Sequence, residues 1–337
     1  MGFLMLDNIA HINDDIHQKH KATEIYENDV LLNITGASIG RTAVATKELE
    51  GGNVNQHVCI IRTNSKVNPK FLCDYIQTQR IQNHIKSLQT GGSREGLNFE
   101  QIRSFPISLP SINEQNKLTC LLDKINERIA TQVRLIEDLK KLRCAIVEKM
   151  FKQSKANGRL GDFIEQVSVR NKNDLYSNVL SVSNKQGFVK QSEQFEDRTV
   201  ASEDTSNYKI VKRNNFAYNP ARINVGSIAR LTKFDVGIVS PMYVCFRTKA
   251  SIIPEYMEAF FTSQQFFYEM MKRLEGSVRL CLSYEGLCNI PVYIPDMNKQ
   301  IAMGQNISLI LSKIGLEIEY LGRLHQQKQY LLRKMFI

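Results

Sequence analysis

Four places in the 337-residue chain bring chemically capable side chains close together, and each lacks a part its chemistry requires. Gly36-Ala37-Ser38-Ile39-Gly40-Arg41-Thr42 has the glycines, hydroxyls and cation of a phosphate-cradling loop. Only three residues separate its glycines, however, and an arginine stands where a lysine would reach the phosphates. Asn219-Pro220-Ala221-Arg222 comes near the Asn-Pro-Pro-aromatic signature of adenine-N6 methyltransferases, without the second proline or the ring that stacks on a flipped base. His17 and His20 form a close pair with no cysteine or HExxH pattern beside them, which reads as a surface pair rather than a metal site. Cys281 and Cys288 flank Tyr284 and read as buried small hydrophobes. No glycine-rich loop follows a strand as an S-adenosylmethionine site requires. Without catalytic, metal or cofactor machinery, the chain reads as a binding protein and not an enzyme.

The remaining chemistry is that of basic and amide side chains. The net charge is +10, which invites a polyanion as partner. Its distribution matters more than its sum: residues 1–110 are neutral and 160–295 carry only +2, so most of the excess lies in 111–159 and 296–337. Any nucleic-acid contact must therefore come from local placement. Glycine-flanked arginines are the strongest candidates, because glycine lets backbone approach a strand closely. Thr90-Gly91-Gly92-Ser93-Arg94-Glu95-Gly96-Leu97-Asn98 and Gly276-Ser277-Val278-Arg279 present Arg94 and Arg279, with Ser93, Asn98 and Ser277 beside them. Ion pairing of these arginines to Glu95 or Glu275 is the competing reading. Arg41 and Arg230, after Gly/Ser turns, come second; Arg222 and the pair Asn184-Lys185 come third. Arg62 and Arg247 end apolar strands and read as structural, and Lys140-Lys141-Arg143 and Arg333-Lys334 as solvated helix faces.

Arg94 and Arg279 are 185 residues apart, and that offset governs the chain. Arg62-Thr63 meets Arg247-Thr248, Pro69 meets Pro254, Pro106 meets Pro291, Pro110 meets Pro295, and Lys149-Met150-Phe151 meets Lys334-Met335-Phe336. Upstream, Ser38-Ile39 and Ser227-Ile228 give an offset of 189, which implies small loop indels. The chain reads as a tandem duplication of an α+β unit. Short β-rich runs (Val30–Ile34, Val58–Ile61, Phe216–Tyr218, Gly237–Val239, Tyr243–Phe246) precede a helix starting at Pro69 or Pro254. Phe105–Pro110 and Ile290–Pro295 read as closing strands stopped by proline.

A long helix follows each closing segment. Ser111 with Glu114 has capping-box spacing. The first seam is Leu122, Ile125, Ile129, Ile136, Leu139, Ile146, interrupted at Gln132 and Arg143; the second is Ile307, Ile310, Ile314, Leu321, Leu324, Leu331, interrupted at Glu317 and Lys328. Spacings of three and four with equivalent polar interruptions predict that the two helices pair as an antiparallel coiled coil. Each is proline-free for about 40 residues, longer than a helix packed on one domain needs. The expected organisation is a β-rich domain over 1–110, a spacer helix over 111–153, a connection over 154–159, a second domain over 160–295 and a second spacer helix over 296–337.

In this order, Asn28–Arg41, Asn68–Ile76, Phe105–Gln115, Glu148–Phe151 and Leu160-Gly161-Asp162-Phe163 resemble the specificity (S, HsdS) subunits of type I restriction-modification systems. The resemblance implies two target-recognition domains, each reading one half of a bipartite, asymmetric double-stranded DNA site. It also implies that the helices set the gap and dock two methyltransferase (M) subunits, with restriction (R) subunits joining where present. S-adenosylmethionine would then sit on the M subunits and ATP on the R subunits, and neither on this chain. The second domain reaches Asn214 from Leu160 while the first reaches Asn28 from Met1, so the first is expected to be short by a strand or two. Scattered cysteines, a mean hydropathy of −0.28 and no signal-peptide pattern point to the cytoplasm. The alternative is a coiled-coil adaptor whose β-rich domains bind protein.

Overall fold

A computed structural model describes residues 9–89, 96–152, 155–172, 174–184, 186–194, 204–277 and 279–336. The first part runs α1 (Asp14–Lys19), β1 (Val30–Asn33), β2 (Thr42–Val44), β3 (Val58–Ile61), α2 (Pro69–Ile76), α3 (Gln79–Gln89), α4 (Phe99–Arg103) and the long α5 (Ile112–Lys152). The second opens with β4 (Gly158–Arg159), α6 (Leu160–Phe163), β5 (Ile164–Gln166), β6 (Leu180–Ser183), β7 (Gly187–Lys190), α7 (Gln191–Gln194), β8 (Lys209–Lys212) and β9 (Phe216–Tyr218). It closes with β10 (Ile228–Arg230), β11 (Val236–Val239), β12 (Val244–Thr248), α8 (Pro254–Phe261), α9 (Gln264–Met271), α10 (Tyr284–Cys288), β13 (Pro291–Val292) and the long α11 (Met297–Met335). Helix and strand are mixed in both parts, as the α+β reading expects. Among the described residues no helix is long and apolar enough to cross a membrane.

The chain divides into two compact units whose boundaries fall inside the long helices: 1–134 with 318–337, and 135–317. In the first unit β2, β1 and β3 form an antiparallel sheet in that order, and α2 packs on it. In the second, β10, β9, β12 and β5 form the corresponding sheet, with β6–β7 and β8–β11 as further antiparallel pairs. Proline at the first position of α2 and α8 suits both helix starts, because its missing N–H has no intrahelical partner there. The capping box at the start of α5 is present: Glu114 N–H donates to Ser111 Oγ, and Ser111 N–H donates to Glu114 Oε2. Asp296 caps α11 with a single bond instead, its Oδ1 accepting from Lys299 N–H at 3.0 Å.

Each unit repeats one clamp at the 185-residue offset. In the first, the fully buried Gln115 accepts from Asn68 N–H (2.8 Å) and donates to Lys66 O (3.0 Å) and Pro110 O (2.9 Å). In the second, Gln300 accepts from Ile253 N–H (3.0 Å) and donates to Ser251 O (3.1 Å) and Pro295 O (3.0 Å). One side chain thereby ties the long helix to the start of α2 or α8 and to the closing segment. Burying a glutamine is tolerable only because all three groups it engages are satisfied.

The helix ends are exchanged between repeats. In the first unit's core, Phe336, directly after α11, stacks on Phe71 and meets Tyr75 edge-on, at 5.1 and 5.5 Å between ring centroids. In the second unit's core, Phe151 of α5 packs on Tyr256 and Phe260 at 5.3 and 5.2 Å. Within the first unit, Ile125 and Ile129 cluster with Leu321, Leu324 and Leu331, while Leu122 joins Leu332 and Phe336. Ascending α5 therefore means descending α11, which is antiparallel packing. In the second unit Ile136 and Ile314 are buried, Leu139 and Ile310 are half-buried, and Ile146 and Ile307 pack on the domain core. Val147 and Leu332, not Ile146 and Leu331, are the more deeply buried residues where the helices meet the domain cores.

Two expectations need correction. Phe105–Pro110 is not a strand, and in Ile290–Pro295 only Pro291–Val292 is. β13 owes its pairing to β4, which lies within the stretch expected to be a plain connection. The offset of 189 also fails. Leu31 lies opposite Ala43 and Ala217 opposite Ala229, so β1 and β2 match β9 and β10 at an offset of 186. Arg230 thus occupies the place of Val44, not of Arg41.

Candidate nucleic-acid interface

One end of each sheet is built by the same loop. Asn33 closes β1, its N–H donating to Arg41 O (2.9 Å) and its O accepting from Gly40 N–H (2.8 Å). Asn219 closes β9, its N–H donating to Ser227 O at 3.1 Å. The asparagine Oδ1 accepts from the N–H two residues on, Thr35 or Ala221, an Asx turn in both cases. Gly40 (φ +82°) and Gly226 (φ +89°) end the loops in the left-handed region that favours glycine. A third strand of backbone joins in: Leu97 N–H donates to Ile34 O (2.9 Å), and Leu282 N–H donates to Pro220 O (3.1 Å).

On this shared backbone the side chains differ. The first unit presents Arg41, exposed at the loop's end and without an ion pair among the described residues. The matching position in the second unit is Ser227, buried and donating to Val182 O. There the exposed cation is Arg222, at the position of Gly36 in the first unit. Asn184, also exposed, lies in the β6–β7 turn beside Gly226, where an added Cβ would stand 3.7 Å from the Asn184 Cβ. Glu275 and Cys281 exchange backbone hydrogen bonds of 2.9 and 2.8 Å, leaving a short apical loop that carries exposed Ser277 and Arg279. Gly276 is required there: at φ +117° any Cβ would meet Arg279 O at 2.3 Å. Neither Glu275 nor another described carboxylate pairs with Arg279.

The loop that holds Arg279 is thus joined, through Leu282 and Pro220, to the loop that holds Arg222. Ser93, Arg94 and Lys185 lie outside the described residues. Asn98 is placed otherwise than expected: its Oδ1 accepts from Gln101 N–H (2.8 Å) and Gln101 Oε1 accepts from Asn98 N–H (2.9 Å), a capping box for α4. Arg230 is the clearest correction. Its guanidinium, 11% exposed, pairs with Glu255 and Glu258 and bonds Asn214 at 3.0 Å. These three partners hold the arginine inside the domain, so it is not free for a ligand; burial meanwhile raises the Glu258 pKa, against the opposing pull of Arg230. Arg62 and Arg247 are structural as expected, the first on Asp29 (2.9 Å) and over the Tyr26 ring, the second on Glu165.

Sequence reasoning missed His57 and Met242, which stand just before β3 and β12 at the 185-residue offset. His57 is exposed and its Nδ1 lies 2.6 Å from Thr35 Oγ1. Met242 is 61% exposed, with its Sδ 3.8 Å from Asn219 Nδ2. The offset itself was the signal, since it pairs two dissimilar side chains at one loop tip. Cys281 and Cys288 are half-buried rather than buried, and all seven cysteines are unpaired. His17 bonds Asn53 at 2.7 Å, and no three metal-ligating side chains cluster among the described residues.

A family model described as the type I restriction modification DNA specificity domain matches residues 6–141. A 127-residue stretch, 37% of this chain, is 24% identical to the type I restriction enzyme EcoBI specificity subunit of Escherichia coli. That match spans about a quarter (26%) of the relative's length. Among solved structures, one described as "Structural basis underlying complex assembly and conformational transition of the type I R-M system" superposes with a TM-score of 0.59 at 15% identity, covering 93% of this chain and 82% of that one. The type I restriction-modification S subunit from M. genitalium gives 0.57 at 18% identity, with 94% and 84% covered. At such identities the structural likeness shows the fold alone. Together the matches bear out the resemblance read from the sequence.

Proposed function

We propose that this chain, similar as it is to type I restriction-modification specificity subunits, is the DNA sequence-recognition subunit of such a complex. On this reading it contributes no catalytic group. Its two domains are a tandem duplication that reads the two halves of a bipartite, asymmetric target. One observation carries the reading: the two units hold one loop scaffold that shares its strand-closing, 3-10-turn and third-strand backbone hydrogen bonds, yet display different side chains at its tips. Two copies of one scaffold bind two copies of one chemical lattice, the phosphate backbone. Different tips read different base edges, arginine serving guanine and asparagine adenine. Arg41 and His57 would read one half, and Arg222, Met242, Arg279 and Asn184 the other.

The spacer helices are the second part of the proposal. Antiparallel packing of Ile125 and Ile129 on Leu321 and Leu324 supports a coiled coil, on which two M subunits, and R subunits where present, would dock. S-adenosylmethionine and ATP would belong to those subunits. The test is co-expression with a partner methyltransferase in a methylation-free host, followed by genome-wide mapping of N6-methyladenine. A bipartite motif with two fixed halves and one constant gap is expected. Stable co-purification with no methylation would remove the reading function, and absence of any complex would favour a coiled-coil adaptor.

A further inference from the structure

Helix α9 carries an apolar face that its own domain does not bury. Phe266 and Met270 pack into the core of the second unit. Phe267, Tyr268 and Met271, at i, i+1 and i+4, share an adjoining face and stay exposed, Phe267 by 51% and Met271 by 43%. Lys272 Nζ lies 3.8 Å over the Tyr268 ring and fixes it in place. The helix is tied to both loops that carry exposed arginines. It packs against the turn Ile223–Val225, which follows Arg222 directly and leaves Val225 exposed. Just past the end of the helix, Glu275 opens the apical loop of Arg279.

The first unit is polar at the same places. At the 185-residue offset Phe267, Tyr268 and Met271 correspond to Gln82, Asn83 and Lys86 of α3. Gln82 holds the loop end there, its Nε2 donating to Gly40 O (3.0 Å) and Ile76 O (2.8 Å), and Asn83 accepts from Gln79 Nε2 at 2.7 Å. Phe267 can make no such bond. Nor does it cover Gly226, the counterpart of Gly40, since a Cβ built on Gly226 has only Asn184 within 4 Å. A partner that docks in two copies, one per repeat, needs the same chemistry at both places. An apolar face in one repeat alone fits a ligand that differs between the repeats, which on the proposed function is the base sequence of one half-site. The arginine and asparagine pairings proposed for the adjoining loops are made in the major groove, which admits a helix. There the base edges present polar donors and acceptors, and the apolar group among them is the C5-methyl of thymine.

We infer that Phe267 and Met271 read thymine methyl groups in the half-site of the second unit. The inference rests on the reading of this chain as a recognition subunit and adds two specificity-determining residues to it. The test uses the chain assembled with its methyltransferase, once the methylated motif has been mapped. Each thymine of both halves is replaced singly by deoxyuridine, which removes only the C5-methyl, and duplex binding is followed by fluorescence anisotropy. At one or more thymines of one half, binding is expected to weaken about fourfold, the factor that one buried methyl group supplies. In a complex carrying Phe267→Gln and Met271→Gln, thymine and uridine duplexes are expected to bind alike in that half, with the other half unaffected. That half is expected to be the one that Arg279→Ala relaxes. Equal binding of thymine and uridine duplexes by the unaltered complex overturns the inference, as does a uridine penalty that survives both substitutions. Loss of the methyltransferase from the variant complex also overturns it and assigns α9 to a partner contact. An unaltered complex that methylates no bipartite motif would instead refute the recognition function itself, and the inference with it.

Discussion

Replacing Gln115 or Gln300 by methionine keeps the length and shape of the side chain and removes every polar atom of the clamp. Each substitution deletes three hydrogen bonds and leaves a buried backbone N–H, that of Asn68 or Ile253, facing a thioether. At a net ~1 kcal/mol per bond, Gln115→Met and Gln300→Met are each expected to cost about 3 kcal/mol. For units of this size that lowers Tm by roughly 6–12 °C. Because the contact sets match, the two costs should agree within about 1 kcal/mol. Circular dichroism during urea unfolding measures the loss, and hydrogen exchange at the Asn68 and Ile253 amides localises it. The reasoning fails if either variant stays within about 0.5 kcal/mol of the unaltered chain, or if one costs heavily and the other nothing.

Three further outcomes are expected. Arg279→Ala and Arg41→Ala, tested separately in the assembled methyltransferase, should each relax sequence preference in one half of the target only, by about 1–3 kcal/mol per base contact; relaxation of both halves by either variant would contradict independent readers. Arg230→Met should destabilise the second unit by about 1 kcal/mol by leaving the half-buried Glu255 and Glu258 carboxylates unpaired, with DNA sequence preference unchanged, and a changed motif would return Arg230 to the interface. Asp74 is buried with one carboxylate oxygen unpartnered, and burial raises its pKa to about 6 against the weaker opposing pull of Lys328. Between the unfolded value of about 4 and 6 the native state keeps a proton that the unfolded chain has lost. Stability therefore falls as pH rises through that window, by about 3 kcal/mol, and is level above it. Asp74→Asn should accordingly raise Tm at pH 8 and leave it unchanged at pH 4; equal effects at both would refute the buried carboxylate's role.

The parts of the molecule written in local periodicity were legible in the sequence. The two long helices follow from three-four spacing without proline, the Ser111–Glu114 cap from its i, i+3 chemistry, and α2 and α8 from Pro69 and Pro254. Parts that depend on distant partners were not. Phe105–Pro110 and Ile290–Pro295 have equally strand-like sequences, yet among the described residues only the second meets a pairing segment, from more than 130 residues earlier in the chain. Arg230 follows a Gly/Ser turn as a ligand-reading arginine would, but Glu255 and Glu258 on α8 claim it. The Ser-Ile identity at an offset of 189 misled for a physical reason: strand register is set by which residues face each other across β9 and β10, and two shared residue types do not outweigh that. At the loop tips, exposure of Arg41, Arg222 and Arg279 is a property of the folded backbone, visible in sequence for Arg41 and Arg279 only as nearby glycine.

The exchange of helix ends also sets an order of assembly in time. A ribosome delivers the first domain early, but Leu332 and Phe336, which complete its core, are made only after the whole second unit. That unit has all of its members, from Leu135 to Glu317, before they appear. Domains otherwise fold from the N-terminus as they emerge. The half of the protein translated first thus lacks part of its core, the cover over Phe71 and Tyr75, until the chain's last helix has been made.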